Sequence, residues 1–196
     1  ITAAITILHY CLFNNDKNVM IVSNKADTVI EIIDKIKNIY KLLPFWMKPG
    51  IVTWNQKNIS FENGCKIKCA ARSKEPAIGF SIDFLYMDEF AHIPNTIVRP
   101  YYRAAIPTIS NIKNSKIIIT STPNGGNLFK ELVVGSMLPE NDPNKLPYTV
   151  IKVYWYQVPD GEFADGVRGT RLDAKLYSKG ELNKFNLDLD MCLKSL

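Results

Sequence analysis

Histidine is nearly missing from this chain of 196 residues, and cysteine is sparse. His9 and His92 stand far apart, and the four cysteines, Cys11, Cys65, Cys69 and Cys192, follow no C-x-x-C spacing. That pattern speaks against a zinc centre and fits buried free thiols under reducing conditions, with Cys65 and Cys69 on one strand face. Long apolar runs are lacking too. The opening ITAAITILHYCLF spans thirteen residues, with no basic segment ahead of it and no small-residue cleavage site behind it. It is neither a signal peptide nor a membrane span. No internal repeat, low-complexity tract or linker interrupts the sequence. A strong charge of either sign is missing as well. The 24 Lys and Arg against 19 Asp and Glu leave +5, which permits an anionic partner without demonstrating one.

What is present is enough apolar material for a core: 46% of the residues are hydrophobic, which supports one globular domain of α/β size. Residues 2–13 read as a buried helix with His9 inside it, ended by Asn14-Asn15-Asp16. NVMIVS, 18–23, reads as a wholly apolar strand of the kind parallel sheets bury on both faces. From Asp27, a candidate N-cap, the pattern turns helical: Val29, Ile33, Ile36, Tyr40 and Leu43 form one stripe, Glu31 pairs with Lys35, and Pro44 and Pro49-Gly50 close the element. Between 51 and 70, IVTW, NISFE and CKIKCAA alternate around Asn55-Gln56 and Asn63-Gly64, a small antiparallel β excursion. FLYM (84–87) and KIIIT (116–120) return to short β-rich runs, with a helix expected around Tyr101 to Ile109. Farther on, two loops flank YTVIKVYW, an expected strand, and the last 25 residues suit a short helix or two.

FLYM runs straight into Asp88 and Glu89. In an open parallel sheet, ligands sit outside the carboxyl ends of the strands, so polar residues there face a cleft. Two adjacent carboxylates suit a division of labour in which Asp88 holds a hydrated Mg²⁺ and Glu89 polarises a water for attack on a phosphoryl group. The plain alternative is a loop opening or a helix cap. A second apolar run ends about thirty residues later in KIIITSTPNGG, where Thr120, Ser121 and Thr122 lie at the mouth of the neighbouring strand. Hydroxyls there can sense a γ-phosphate or hold the attacking water, although T-S-T-P-N-G is also ordinary turn chemistry. The two strand ends together are more specific than either alone.

FLYMDEFAHIP followed by SKIIITSTPNG resembles the Walker B segment and coupling motif of the large terminase subunits of tailed phages, the ATP-driven motors that package DNA into a prohead. The likeness continues, in the family's order and spacing, through NVMIVSNKADTVIEIIDKIKNIYKLLPFW, KPGIVTWNQKNISFENG and AARSKEPAIGFSIDFLYMDEFAHIP. This resemblance implies a three-layer P-loop NTPase-like domain of the RecA/ASCE type, with a mostly parallel central sheet and a small antiparallel excursion, as a single domain over 1–196. It implies ATP and Mg²⁺ as cofactors, Asp88 as the magnesium ligand and Glu89 as the catalytic base. Thr120, Ser121 and Thr122 would couple hydrolysis to DNA movement. The partners implied are double-stranded DNA, gripped by its backbone, the portal protein, the small terminase subunit and further copies in a homo-oligomeric ring. The resemblance further implies no membrane partner and the cytoplasm of the infected host as the setting.

The family's ATPase also uses a Gly-rich Walker A turn ending G-K-T/S, whose backbone N–H groups and Lys cradle phosphates. No such run exists in these 196 residues. Aligned on the shared segments, Ile1 falls almost directly after that loop, so the expectation is a truncated piece that binds ATP poorly and hydrolyses it little. Ile78 stands where many relatives carry an Arg before the Gly; Arg72 and Lys74 lie close enough to substitute, or are solvated surface charges. The family's nuclease domain is expected to be absent. Asp188 and Asp190, alternating in the tail, read as an exposed strand face.

His92 lies within one helical turn of Glu89 and reads either as its hydrogen-bond partner or as packing at a helix start. Arg99 and Arg103, four apart, offer a cation to an ATPase site in cis or on a neighbouring subunit. Trp54, Trp155, Tyr154 and Tyr156 around Lys152 mimic a base-stacking surface, but strand alternation explains them as half-buried packing. Two other functions compete. A superfamily 2 helicase also joins D-E to a Ser/Thr turn, yet D-E-F-A-H spaces the His one residue too far and no second RecA-like half follows. A P-loop-less interaction module fits the missing Walker A, but nothing structural would demand the carboxylate pair it retains.

Overall fold

The computed structural model describes residues 1–71, 81–110, 112, 114–153, 161–162 and 168–169. Strands β1 (Asn18–Ser23), β2 (Ile51–Trp54), β3 (Asn58–Phe61), β4 (Lys66–Ala71), β5 (Phe84–Asp88) and β6 (Lys116–Ile119) form one sheet in the order β2-β3-β4-β1-β5-β6. The strands β4, β1, β5 and β6 pair in parallel, while β2 and β3 are antiparallel additions. The antiparallel excursion expected from the sequence is thus one wing of the main sheet, because its last strand, β4, is also the first of the parallel core. The wholly apolar NVMIVS lies at the centre, buried everywhere except at Asn18.

Burial on both faces follows from the period of two. Val19 and Ile21 of β1 and Phe84 and Tyr86 of β5 join one core cluster with α1 (Thr2–Leu12) and α2 (Ala26–Leu42). The alternate residues Met20, Val22, Leu85 and Met87 are also buried but lie outside that cluster, so the opposite face is covered too. On α2, Val29, Ile33, Ile36 and Tyr40 are buried as the stripe requires, with Ile32 joining them and Leu43 packed at the cluster's edge. The cap differs from expectation. Lys25 is the N-cap, and Asp27 sits inside the first turn, where its charge meets the positive end of the helix dipole.

Other elements depart from the sequence pattern for identifiable reasons. The helix α3 (Asn95–Ser110) starts six residues earlier than expected and contains Pro100 and Pro107. Its buried stripe, Val98, Tyr101, Ala105 and Ile109, outweighs the helix-breaking signal of the prolines. The nine-residue helix α4 (Leu128–Ser136) has no counterpart in the sequence reading; Asn127 caps it, its side-chain oxygen accepting from the Lys130 amide at 3.2 Å. His9 is exposed rather than core, its ring 4.6 Å from that of Phe13. Cys65 precedes β4 instead of sharing a strand face with Cys69; it is buried while Cys69 is half-buried, and both are free thiols, as is Cys11. No helix among the described residues is long and apolar enough to cross a membrane.

These elements belong to one compact unit, Ile1–Leu146; a second, Pro147–Leu196, contains a short antiparallel pairing of β7 (Gly161–Glu162) with β8 (Arg168–Gly169). Residues 148–153 of the expected strand YTVIKVYW are not in a strand. Tyr154, Trp155, Tyr156, Asp188, Asp190 and Cys192, along with Arg72, Lys74 and Ile78, lie outside the described residues.

Asn63 ties the first helix to the sheet. Its amide donates to the carbonyls of Cys11 at 2.7 Å and Asn14 at 3.0 Å, and its oxygen accepts from the Cys65 amide at 3.1 Å. Removing the side chain leaves part-buried backbone groups unpaired. Asn63→Ala should therefore cost about 1–3 kcal/mol, read as a lower urea midpoint with an unchanged slope.

Candidate functional site

The carboxyl end of β5 carries the carboxylate pair, and the first residues after β6 lie beside it. Thr120 takes its place from the backbone: its N–H donates to the Met87 carbonyl at 2.9 Å, and its own carbonyl accepts from the Phe90 amide at 3.2 Å. Its hydroxyl then donates to Asp88 Oδ1 at 2.7 Å. Tyr86, two residues before Asp88 and so on the same strand face, brings its phenol to 3.0 Å from Thr120 Oγ1. Thr120 has one proton and gives it to Asp88, so the phenol is the donor in that contact. Burial pushes the Tyr86 phenol up to about 12, with the nearby Asp88 charge adding to the rise and the Thr120 hydrogen bond opposing it, and keeps it a donor at neutral pH. Two hydroxyls in series thus orient one half-buried carboxylate.

Glu89 adopts φ +50° and ψ +37°, the left-handed region, which for a residue bearing a Cβ costs roughly 1–2 kcal/mol. The surroundings hold it there. Phe90 is buried against the rings of Tyr102 and Phe129, and the His92 amide bonds the Glu89 carbonyl at 2.9 Å in a short 3-10 turn, Phe90–His92. Strain concentrated on an acidic residue at a strand end is characteristic of functional sites.

Ser121 and Thr122 bind this turn to the loop after β6. Ser121 Oγ accepts from the Ala91 amide at 3.0 Å, and Thr122 Oγ1 lies 2.9 Å from His92 Nε2. His92 Nδ1 is 3.4 Å from the Asn124 amide, so the ring is engaged by Thr122 and Asn124 rather than by Glu89. Asn127 donates to the carbonyls of Ala91 at 2.8 Å and Asn124 at 2.7 Å. Across β5, register places Ser23 of β1 beside Asp88, with Ala71 of β4 on its other side. Ser23 Oγ and Asn24 Oδ1 are buried with no partner among the described residues, which leaves the rim of the central strands polar.

Of the expected site residues, Asp88, Glu89, His92, Thr120, Ser121 and Thr122 therefore converge. Arg99 is paired elsewhere: it bonds Glu131 of α4, and that contact raises the guanidinium and lowers the carboxyl relative to their ordinary values. Arg103 is exposed one helical turn on, and Arg72 is outside the described residues. Sequence reasoning missed Tyr86, Asn124 and Asn127. Strand alternation identifies Tyr86, two positions before Asp88; the asparagines had no signal beyond turn chemistry.

The described residues hold no group of three or more His, Cys, Asp or Glu able to bind a metal by themselves. One or two carboxylates at a strand end match instead a hard cation that keeps water and phosphate oxygens as its other ligands, as Mg²⁺ does. Zinc or structural calcium would require more protein donors.

The profile of the N-terminal part of T4-like-virus-type large terminase subunits matches residues 1–182. The chain belongs to that family. Among solved structures, the ATPase domain of the Thermus phage P74-26 large terminase is similar with a TM-score of 0.55 and 19% identity, covering 73% of this chain and 63% of that one. The bacteriophage HK97 large terminase is similar with a TM-score of 0.55 and 15% identity, covering 68% of this chain and 29% of that one. At these identities the likeness shows the fold, that of a terminase ATPase domain of the P-loop NTPase class. This terminase chain spans about 63% of the length of the first and 29% of the second.

A phenol held above its ordinary value of 10 stabilises the folded state below that pH and loses its contribution as pH rises through about 12. Tyr86→Phe should flatten the alkaline loss of stability in this window, measured by denaturant titration at successive pH values. Relieving the left-handed backbone with Glu89→Gly should raise stability by about 1 kcal/mol, whereas Glu89→Gln, which keeps the strain, should leave the unfolding midpoint unchanged.

Proposed function

We propose that this chain is the nucleotide-hydrolysing core of a phage DNA-packaging motor, a single ATPase-type domain with Asp88 and Glu89 at its centre. The observation that carries this reading is the series Tyr86–Thr120–Asp88, which orients a strand-end carboxylate, beside a strained Glu89. The family match runs across both units of the chain, from 1 to 182, and supports treating them as one functional domain.

Asp88 would hold a magnesium ion, and Glu89 would accept a proton from the attacking water. Magnesium-bound ATP supplies a γ-phosphoryl group whose charge is partly neutralised for in-line attack. Thr120 fixes the Asp88 carboxylate by donating to one of its oxygens. Ser121 and Thr122 bond Ala91 and His92, so a shift of the turn after Asp88 is carried into the 120–127 loop, which gives hydrolysis a route to DNA movement. With Arg99 committed to Glu131, Arg103 and Arg72 are the remaining candidates for a cation acting on the transferred phosphoryl group. The motor reading brings with it double-stranded DNA gripped by its backbone, the portal protein, the small terminase subunit, a ring of identical copies and the cytoplasm of the infected host. With no G-x-x-x-x-G-K-[ST] run among its residues, the chain as given is expected to bind ATP weakly and turn it over slowly.

The test is phosphate release and fluorescent ATP-analogue binding by the intact gene product. Glu89→Gln should lower turnover by about 10²–10⁴-fold while nucleotide affinity persists, and Asp88→Asn should weaken the magnesium-dependent part of binding. Full turnover in Glu89→Gln would overturn the assignment of the base.

A further inference from the structure

The corner formed by the end of α2 and strand β2 exposes apolar side chains that the fold does not use. Leu42 is 86% exposed, Phe45 92%, Trp46 78% and Val52 68%, with Ile51 beside them at 42%. Scattered exposed apolar residues need no explanation, but five within eleven positions mark an interaction surface. The segment is closed on itself: the Tyr40 hydroxyl donates to the Pro49 carbonyl, and Lys48 Nζ reaches the Lys41 carbonyl at 2.9 Å. Its base is firm, because the Tyr40 ring packs on those of Phe61 and Trp54.

Lysines dominate the charge around it. From residue 35 to residue 61 the chain carries Lys35, Lys37, Lys41, Lys48 and Lys57 and no Asp or Glu. Two of these lysines are steadied over aromatic faces, Lys37 at 5.6 Å from the Trp54 ring centre and Lys48 at 5.9 Å from that of Tyr40. Asp34 and Glu62 bound the stretch, Glu62 packing against Gly50, and Lys35 is paired with Glu31 at 3.8 Å, which leaves Lys37, Lys41, Lys48 and Lys57 as the lysines of the corner.

We propose that this corner docks an acidic segment of another protein, one that brings an aliphatic or aromatic side chain onto Phe45 and Trp46 and carboxylates onto the surrounding lysines. A second copy of this chain would set lysine against lysine, and the bulge between Ile51 and Thr53 of the edge strand discourages self-pairing. A DNA backbone satisfies the lysines but offers nothing apolar to cover Leu42, Phe45 and Val52. A lipid surface favours apolar residues ranked along one helical face, whereas these are divided among the last residue of α2, a single 3-10 turn, Phe45–Met47, and a strand edge. An acidic, apolar peptide satisfies both chemistries, and exposed aromatics of this kind are typical binding anchors.

The experiment measures fluorescence anisotropy of a labelled short peptide alternating Asp or Glu with Leu and Trp, titrated with the whole chain. The same peptide with Lys in place of its acids, a mixed-sequence DNA duplex and phosphatidylserine vesicles serve as competing probes. The acidic peptide should bind, the Phe45→Ser/Trp46→Ser double variant should weaken binding about tenfold or more, and Lys41→Glu/Lys48→Glu should weaken it severalfold. Phe45, Trp46 and Lys41 are exposed and Lys48 is half-buried, so far-ultraviolet circular dichroism matching the parent is required of each variant before its binding is compared. The proposal is overturned if the acidic peptide does not bind, if the lysine peptide binds equally well, or if the aromatic variant binds unchanged. Loss of duplex or vesicle binding in the variants, with peptide binding intact, would overturn it as well.

Discussion

A strand buried on both faces can present a polar side chain only where it ends, and most of this molecule's chemistry follows from that constraint. The strand β5 has neighbours on each side, β1 and β6, and layers above and below it, so Phe84 to Met87 are all buried and only the Tyr86 hydroxyl reaches a polar partner, at the strand end. Asp88 is the first position where solvation returns. The parallel register then brings the ends of the adjacent strands level with it: Ser23 of β1 lies directly across, and Thr120 follows β6 by one residue. The hydrogen bond from Thr120 to Asp88 is thus a product of sheet topology, since no local sequence relationship links residues 32 positions apart.

The turn after Asp88 spends stability on position. Glu89 could lie in an ordinary extended or helical conformation at no cost, yet Phe90, locked between Tyr102 and Phe129, and the backbone bond from Phe90 to Thr120 require the left-handed one. The cost is spread over a tightly packed neighbourhood, which makes the carboxylate's placement insensitive to small movements elsewhere. Hydrogen bonds among Ser121, Thr122, Asn124 and His92 extend that rigidity into the loop, so the two strand ends form one hydrogen-bonded body.

Much of this was legible in the sequence, and the exceptions share a cause. Apolar runs with a period of two or none at all identified β1, β5 and β6, and the stripe from Val29 to Tyr40 identified α2, because each signal lies within one segment. The carboxylates and hydroxyls were legible for the same reason, as polar residues directly following such runs. Features that depend on distant partners were not. The prolines at 100 and 107 argued locally against a helix that Val98, Tyr101, Ala105 and Ile109 sustain by burial. His9 sat in an apolar run, yet the helix turns it toward solvent. Tyr86 looked like core filling until its hydroxyl found Thr120, and the role of β4 as a hinge between antiparallel and parallel pairing emerges only from its register with β1.

Asn127 serves two elements at once. Its oxygen caps α4, while its amide holds the Ala91 carbonyl behind the carboxylate pair. A helix of nine residues is marginal when isolated, so α4 draws its stability from the turn to which this one side chain fastens it. The helix and the turn after Asp88 therefore melt together. Amide exchange in 128–136 becomes a clock for opening at Asp88 and Glu89, readable even when nothing is bound there.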